Sequence, residues 1–307
     1  MTVTRILTIA IVIMLVALGG WYWTRPEPHL IRFPAENASA DSGAFSYEPY
    51  ERALAQYVDD RGMVNYRALK ANSSDLDAFA ASLSRVKPEE FDPALPSPAR
   101  IWPIGSDPEK IAFWINAYNA LTLEAIIHNY PIQPSLVRSV VYPKNGIRQI
   151  PGVWDKLHFV VVGREMALND IEHGTLRAKF NEPRIHVALV CAAMSCPPLR
   201  NEPYTADKLG KQLDDQARTF LRSPQGLRVD RDAGKVYLSS IFKWFGEDFV
   251  KTYGTSDKFA GKSDAERAVL NFVSRYVDES DRDFLLHGSY RIEYLDYDWS
   301  LNEQSTD

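Results

Sequence analysis

The chain has 307 residues, a formal net charge of -5 and a sequence pI of about 5.8. Its 45% hydrophobic and 24% charged residues are ordinary for a globular protein that buries a full core. The acidic balance, with no Lys/Arg cluster, excludes a basic nucleic-acid-binding surface, and 2 cysteines are too few for a disulfide scaffold.

The first residues carry a membrane signal. Ile6–Trp23 contains no charged residue over about 18 positions, close to the minimum for a helix that crosses a bilayer, and it ends in Trp-Tyr-Trp, as an interfacial aromatic belt would. We therefore predict an uncleaved transmembrane helix within residues 1–24. The alternative is a cleaved signal peptide, for which Ala17 and Gly19 offer a small-x-small site.

The short head before this run favours an N-terminus that stays in the cytoplasm. The predicted location is the inner membrane, crossed once, with the rest of the chain in the periplasm or another extracytoplasmic space, where disulfides form. The membrane is thus the first predicted partner. Residues 25–46 are rich in proline and then polar, with no periodicity, which predicts a linker.

Residues 47–302 are predicted to form one mixed α+β domain, followed by a tail at 303–307. Apolar residues recur at helical spacing in Tyr47–Tyr57 and in Asp75–Val86. The Pro-rich stretch 87–103 indicates a loop.

A helix at Asp107–His128 is expected to lie at the centre of this domain. Asp107 suits the N-cap, Pro108 suits the first helical position, and the helix is apolar on nearly every side, which is typical of burial. Asn116 and Asn119 within it must find hydrogen-bond partners. Either they bond to neighbouring backbone and fix a loop, or one of them orients a catalytic imidazole.

A short strand from Leu157 and a helix over 168–180 are expected next. Asn169 is the predicted N-cap, and Glu172 completes a capping-box pattern that gives it a structural role. His173 is expected to turn toward apolar neighbours.

The apolar run Ile185–Ala192 predicts a strand buried on both faces, which carries His186 and Cys191. Residues 194–199, with Cys196, are the loop that leaves it. The remaining pattern predicts helices at 205–221, 240–253 and 263–277, a hairpin at 227–239 and a last strand at 290–296. The fold expected is a central buried helix with a small sheet, flanked by several helices.

Five motifs together resemble one protein family: FWINAYNALTL (Phe113–Leu123), LNDIEHGTLR (Leu168–Arg177), IHVALVCAAMSCPPLR (Ile185–Arg200), SSIFKWFGEDF and YLDYDWSLN. The family is the domain of unknown function 547. The resemblance covers roughly Tyr47–Asn302 and implies a single mixed helix-and-sheet domain of the kind found in exported bacterial proteins. It implies no catalytic residues.

The thiol of Cys196 is the candidate nucleophile of a hydrolase or acyl transferase. The base would be an imidazole and the orienting group a carboxylate or an amide, from His173, His186, Glu172, Asn116 and Asn119. Such a thiol must be exposed and its pKa lowered. The alternatives are a disulfide between Cys191 and Cys196, which would end thiol catalysis, and a zinc site that also uses the histidines.

No nucleotide-binding, metalloprotease or serine-hydrolase motif occurs in the sequence, so no cofactor or metal is predicted. The function expected first is a membrane-anchored extracytoplasmic domain that binds an envelope protein or a small molecule, without a nucleic-acid partner. The thiol-dependent enzyme is the second expectation.

Overall fold

Helices are the commonest regular elements of the described chain, with short strands between them. The computed structural model describes residues 29–32, 45–86 and 107–305. In this part, the strands form two three-stranded sheets. The mixed α+β class predicted from the sequence is confirmed.

The α-helices in chain order are α1 (Glu48–Tyr57), α2 (Tyr66–Ala71), α3 (Ser74–Arg85), α4 (Asp107–Asn129), α5 (Leu168–Ile171), α6 (Arg177–Lys179), α7 (Leu209–Arg222), α8 (Ser240–Phe245), α9 (Val250–Tyr253), α10 (Asp264–Val273) and α11 (Glu279–His287). The strands are β1 (His29–Leu30), β2 (Leu157–Val161), β3 (Arg164–Ala167), β4 (Leu227–Asp230), β5 (Lys235–Leu238) and β6 (Arg291–Tyr294). The 3₁₀ turns are Arg138–Val140, Ile147–Gln149, Pro183–Val187 and Gly246–Phe249, and Glu172–Leu176 is a π-helical turn.

Helix α4 forms the centre of the larger hydrophobic core. Every residue from Ile111 to Ile127 is buried, because α2, α3, α5, α7 and β2 all contact this helix. The helix predicted at 107–128 is thus confirmed. A helix that is apolar all round needs partners on every side, and here it has them.

The first sheet has the order β1-β2-β3. Strands β2 and β3 are antiparallel and meet through Val162 and Gly163, whose φ angles of 51° and 67° suit a two-residue hairpin. Strand β1 pairs in parallel with β2, His29 opposite Leu157. Within the predicted linker 25–46, His29–Leu30 therefore forms an edge strand of this sheet.

The second sheet has the order β4-β5-β6. The predicted hairpin is confirmed, with Leu227 opposite Leu238, and β6 pairs in parallel with β5. Beyond β6 the chain returns to the larger core, where it follows residues 192–196 closely. Its contacts continue past 302, since Glu303 bridges to Val64, so the tail predicted from 303 is packed against the domain over its first residues.

The prediction of a strand at Ile185–Ala192 was wrong, but the prediction that this segment is buried is confirmed. Pro183–Val187 is a 3₁₀ turn, and the chain continues without regular structure to Ala193, which bridges to Leu301. A continuous apolar run shows that a segment is buried but not which conformation it takes. Here side chains of α4 and backbone of the C-terminal segment satisfy its peptide groups, so no sheet is needed.

Among the described residues, no helix is both long and apolar enough to cross a bilayer. The anchor or signal sequence predicted in residues 1–24 and the loop predicted at 87–103 lie outside the described residues. At the surface, Leu136, Val137, Val140 and Val141 are 93%, 80%, 83% and 73% exposed and form an apolar tip beside the turn Arg138–Val140.

Candidate functional site

A cavity of about 330 Å³ lies where the larger core meets α8 and the C-terminal segment. Its wall combines aromatic side chains with aliphatic, cysteine and polar side chains: Tyr118, Arg148, Trp154, Asn169, Glu172, His173, His186, Leu189, Cys191, Cys196, Ile241, Trp244, Phe245, Tyr297 and Trp299. Four of the six residues predicted as catalytic lie in this wall. The two amides of α4 do not.

Asn116 and Asn119 fix the loops that pack on α4. The Asn116 side chain donates to the carbonyl of Tyr204 at 2.7 Å and accepts from its N–H at 2.9 Å. Asn119 likewise donates to Ala188 O at 3.0 Å and accepts from Val190 N at 2.9 Å. The structural alternative predicted for both amides is confirmed, and neither one orients an imidazole.

Glu172 lies in the cavity wall and does not cap a helix. The residue that caps α5 is Asp170, whose carboxylate accepts from Ala167 N at 2.8 Å, so the predicted capping role of Glu172 was wrong. The helix begins two residues earlier than the pattern suggested, and this places Glu172 on the buried side, with its side chain 11% exposed. Burial, and then the neighbouring Glu172 carboxylate, raise the pKa of Tyr118 well above its ordinary value.

The π-helical turn decides where His173 points. Its side chain is 43% exposed, so the expectation that it turns inward toward apolar neighbours was wrong. A π turn adds a residue to the turn and changes the face on which the following side chains lie, and such turns are frequent at functional sites. Arg177 Nη1 donates to His173 Nδ1 at 3.0 Å and thereby holds the imidazole at the cavity edge.

His186 is buried and paired with Asp248. Its Nε2 lies 2.7 Å from Asp248 Oδ2, and its ring stacks on Phe245 at 4.2 Å between centroids. Arg177 binds the same carboxylate through two nitrogens, at 2.6 and 3.0 Å. Partial burial opposes ionisation of Asp248, but the hydrogen bonds from His186 and Arg177 prevail and hold its pKa below the ordinary value.

Cys191 and Cys196 form a disulfide, with Cα atoms 6.1 Å apart. The hydroxyl of Tyr297 lies 3.2 Å from Cys191 Sγ and donates to Cys196 Sγ at 3.1 Å. Tyr297 reaches the bridge because the C-terminal segment pairs with residues 192–196: Ser195 N donates to Asp298 O, and Met194 N to Ser300 O.

With the bridge closed, Cys196 has no thiol, which removes the predicted nucleophile in this oxidised state. Cys196 is also 7% exposed, whereas the prediction needed an accessible side chain. Within the described residues, neither His173 nor His186 hydrogen-bonds to a sulfur. The two cysteines that the zinc alternative would use as ligands are joined to each other in this disulfide.

From the sequence, Trp244, Tyr297 and Trp299 could line a ligand groove, although core packing was the preferred interpretation, and Arg148 was missed. Trp244, Tyr297 and Trp299 pack on one another, with ring centroids 4.5 to 6.0 Å apart, and Arg148 stacks on Trp299 at 4.1 Å. The signal available was the clustering of aromatic residues in two of the quoted motifs, SSIFKWFGEDF and YLDYDWSLN. Nothing local connects those motifs to Arg148, about 100 residues or more before them.

The comparisons with known proteins give one match. No curated protein and no solved structure matches the chain. The model of the family DUF547, "Protein of unknown function, DUF547", matches residues 105–221. This range holds all six residues predicted as catalytic, the two histidines among them being His173 and His186, and it also holds Cys191. Helix α8, Tyr297 and Trp299 lie beyond it. Over residues 105–221, this chain is therefore similar to the DUF547 family.

Proposed function

We propose that this chain is an extracytoplasmic domain that binds a small organic ligand in the cavity between α4, α8 and the C-terminal segment. The observation that carries the proposal is the cavity itself, about 330 Å³ in volume and walled by aromatic side chains. Small-molecule sites are typically concave, roughly 300 to 1,000 Å³, mostly apolar and supplied with a few polar groups that orient the ligand. This cavity has all of these features.

The polar groups of the wall differ in chemistry and are held in place. Glu172 supplies a carboxylate, Arg148 a guanidinium and His173 an imidazole at the edge. The disulfide and the hydrogen bonds of Asn119 fix the wall that carries Leu189 and Cys191. A rigid wall of this kind reduces the loss of conformational entropy on ligand binding.

Intrinsic fluorescence tests the binding proposal, because Trp154, Trp244 and Trp299 all line the cavity. A fragment library screened against the purified full chain should contain ligands that change this emission and give saturation-transfer NMR signals. Trp244 is 47% exposed, so the Trp244→Ala variant should fold normally, and its affinity for these ligands should fall by tenfold or more. Leu136→Ala, at a residue 93% exposed outside the cavity, is the control. If no fragment binds at the cavity, the proposal fails.

The location is proposed on separate grounds. The uncharged run Ile6–Trp23 supports a membrane anchor, and the disulfide supports an oxidising compartment. Five residues separate Trp23 from His29, which already pairs with β2, so a membrane anchor would hold the domain within about 20 Å of the bilayer. Fusion of a reporter enzyme that is active only in the periplasm to the C-terminus tests this: an inactive fusion of normal abundance contradicts it.

The apolar tip supports contact with that bilayer. Its four aliphatic side chains, Leu136, Val137, Val140 and Val141, stand almost fully in solvent, which is unusual for a soluble surface. In lipid nanodiscs, the full chain should exchange its amide hydrogens more slowly over 136–141 than in amphipol, while the exposed segment 256–258 should not change. Equal exchange of the tip in both media would exclude the contact.

The alternative function is a thiol-dependent hydrolase or acyl transferase, with Cys196 as nucleophile after reduction of the bridge. What favours it is that Cys196, both histidines and Glu172 line one cavity, and that Asp248 already orients His186. Alkylation followed by mass spectrometry tests it. Protein purified without reductant should be unlabelled, and after reduction a fast-reacting Cys196 would support the enzyme. Slow labelling of both thiols would exclude it.

A further inference from the structure

The backbone around Arg148 is fixed before any ligand arrives. Arg148 is the middle residue of the turn Ile147–Gln149, whose two flanking side chains are 0% and 2% exposed. The Gln149 amide accepts from Ser135 N at 2.9 Å and donates to Pro143 O at 3.0 Å. The Arg148 side chain therefore projects from a rigid support into the cavity wall.

Aromatic rings hold the guanidinium by its faces. The central carbon lies 4.1 Å from the ring centroid of Trp299, 5.0 Å from that of Tyr142 and 5.2 Å from that of Trp154. Stacking uses the flat faces of the group and leaves its five N–H donors, which lie in the plane, open to acceptors. The one hydrogen bond that they make to a described residue is a long one, from Nη1 to Tyr142 Oη at 3.5 Å.

Arg148 lacks the carboxylate partner that comparable arginines have. Arg177, Arg184 and Arg200, all partly buried, each bind one or two carboxylates at 2.5 to 3.0 Å. Within the described residues no carboxylate lies at ion-pair distance from Arg148, and its buried Nε has no hydrogen-bond partner. A buried donor without an acceptor costs free energy, which an anionic ligand would recover.

The same cavity carries one negative group. Glu172 lines it with a side chain that is 11% exposed, and Arg148 is the only arginine or lysine of the described residues in the wall. A ligand with a second negative charge would meet repulsion from Glu172, because little water screens charges at a buried site. Aromatic rings cover most of the remaining wall, and these favour an apolar body.

Building on the proposed function, we propose that Arg148 anchors an oxyanion of the cavity ligand through its free in-plane N–H groups. The ligand is then a small organic acid with a single negative charge, a carboxylate or a phosphate diester, attached to an apolar body that packs between the tryptophans. Arginine binds both oxyanions with two parallel hydrogen bonds, which a lysine cannot do.

Matched probes test the proposal on the purified full chain. The probes are small aromatic and aliphatic carboxylic acids, each with its primary amide, and the corresponding aryl methyl phosphates, which carry one negative charge. Tryptophan fluorescence and saturation-transfer NMR measure their binding. Binding counts as cavity binding when Trp244→Ala abolishes it. In the wild type, we expect acids or aryl methyl phosphates to bind tenfold or more tightly than the neutral amides. Whichever of the two binds more tightly identifies the oxyanion.

Substitutions at Arg148 and Lys144 separate the effect of the Arg148 anchor on binding from the effect of positive charge in general. Arg148→Gln should weaken anion binding by tenfold or more and leave amide binding nearly unchanged, and Arg148→Lys should recover only part of the loss. Lys144→Gln removes an exposed positive charge from the same loop and should have no effect.

The contrary outcomes are distinct. Amides that bind the wild type as tightly as acids, or acids that keep their affinity in Arg148→Gln, overturn the anchor while the binding cavity stands. Absence of any cavity ligand overturns the proposed function and the anchor together. If Arg148→Gln does not fold, the comparison of acids with amides in the wild type decides alone.

Discussion

His186 and Asp248 lie 62 positions apart in the chain, yet His186 Nε2 and Asp248 Oδ2 are 2.7 Å apart. The pair ties the segment that precedes the disulfide to the turn Gly246–Phe249, and Arg177 joins it from the other side. The imidazole is 1% exposed and the carboxylate 27% exposed. This contact therefore holds together three separate stretches of the cavity wall.

Asp248→Asn should destabilise the protein by about 1 to 3 kcal/mol at neutral pH, because charge-assisted hydrogen bonds from His186 and Arg177 would weaken. The pKa of Asp248 is lowered in the fold, so its contribution is present above its unfolded value, near 4, and is lost as the pH falls through the folded value. Denaturant unfolding should therefore show a gap between wild type and variant that closes below pH 4. Glu247→Gln, at the exposed neighbour, is the control and should stay within about 0.5 kcal/mol of the wild type.

Glu124 is expected to lower stability at neutral pH. It is 3% exposed, its Oε1 has no hydrogen-bond partner among the described residues, and burial, followed by Asp77, raises its pKa well above the ordinary value. A carboxyl group whose pKa is raised by folding contributes stability at pH values below its pKa in the unfolded chain, near 4.3. That contribution is lost as the pH rises through its pKa in the folded protein.

Glu124→Gln keeps the volume and removes the charge, so it should stabilise the protein by about 1 to 3 kcal/mol at pH 8 and have little effect at pH 4. Urea unfolding at both pH values measures this. Glu51→Gln, at an exposed carboxylate of α1, provides the comparison. A Glu124→Gln protein that is less stable at pH 8 would show that the ionised carboxylate has a partner it needs.

Asn119→Ala should cost about 2 to 5 kcal/mol, because it leaves the carbonyl of Ala188 and the N–H of Val190 buried without partners. Thermal and urea unfolding measure the loss. Asn129→Ala removes an amide near the end of the same helix that bonds only within that helix, to Ala125 O, and should cost far less. Equal losses in the two variants would mean that the loop does not depend on Asn119.

The double variant Cys191→Ala, Cys196→Ala should lose about 2 kcal/mol, because the disulfide closes a short loop of sequence separation 5 and restricts the unfolded chain only modestly. Guanidinium unfolding of both proteins, without reductant, gives the difference. Wild type treated with reductant should match the double variant. A much larger loss would indicate that the bridge holds the C-terminal segment and Tyr297 in place as well.

Much of the local structure could be predicted because its causes are local. The helix predicted from Ser263 is α10, and the Ser-x-x-Glu spacing in its sequence forms a capping box, with Glu266 Oε2 accepting from Ser263 N at 2.8 Å. The burial of α4 likewise follows from its own residues, which are apolar on nearly every side. At Glu172 the same reasoning failed, because Asp170 occupies the capping position of a helix that starts two residues earlier than predicted.

The sequence by itself determined that α4 is buried, that residues 185–192 are buried with it, and that polar side chains at 172–196 had to be satisfied there. Only the tertiary structure decided how. In the folded protein, Cys191 and Cys196 form a disulfide, Asp248 pairs with His186, and Tyr297, Trp299 and Arg148 line one cavity. The physical reason is that hydrophobic patterning encodes which residues leave water. The partners that meet across 60 to 150 positions depend on how whole elements pack, which no local pattern records.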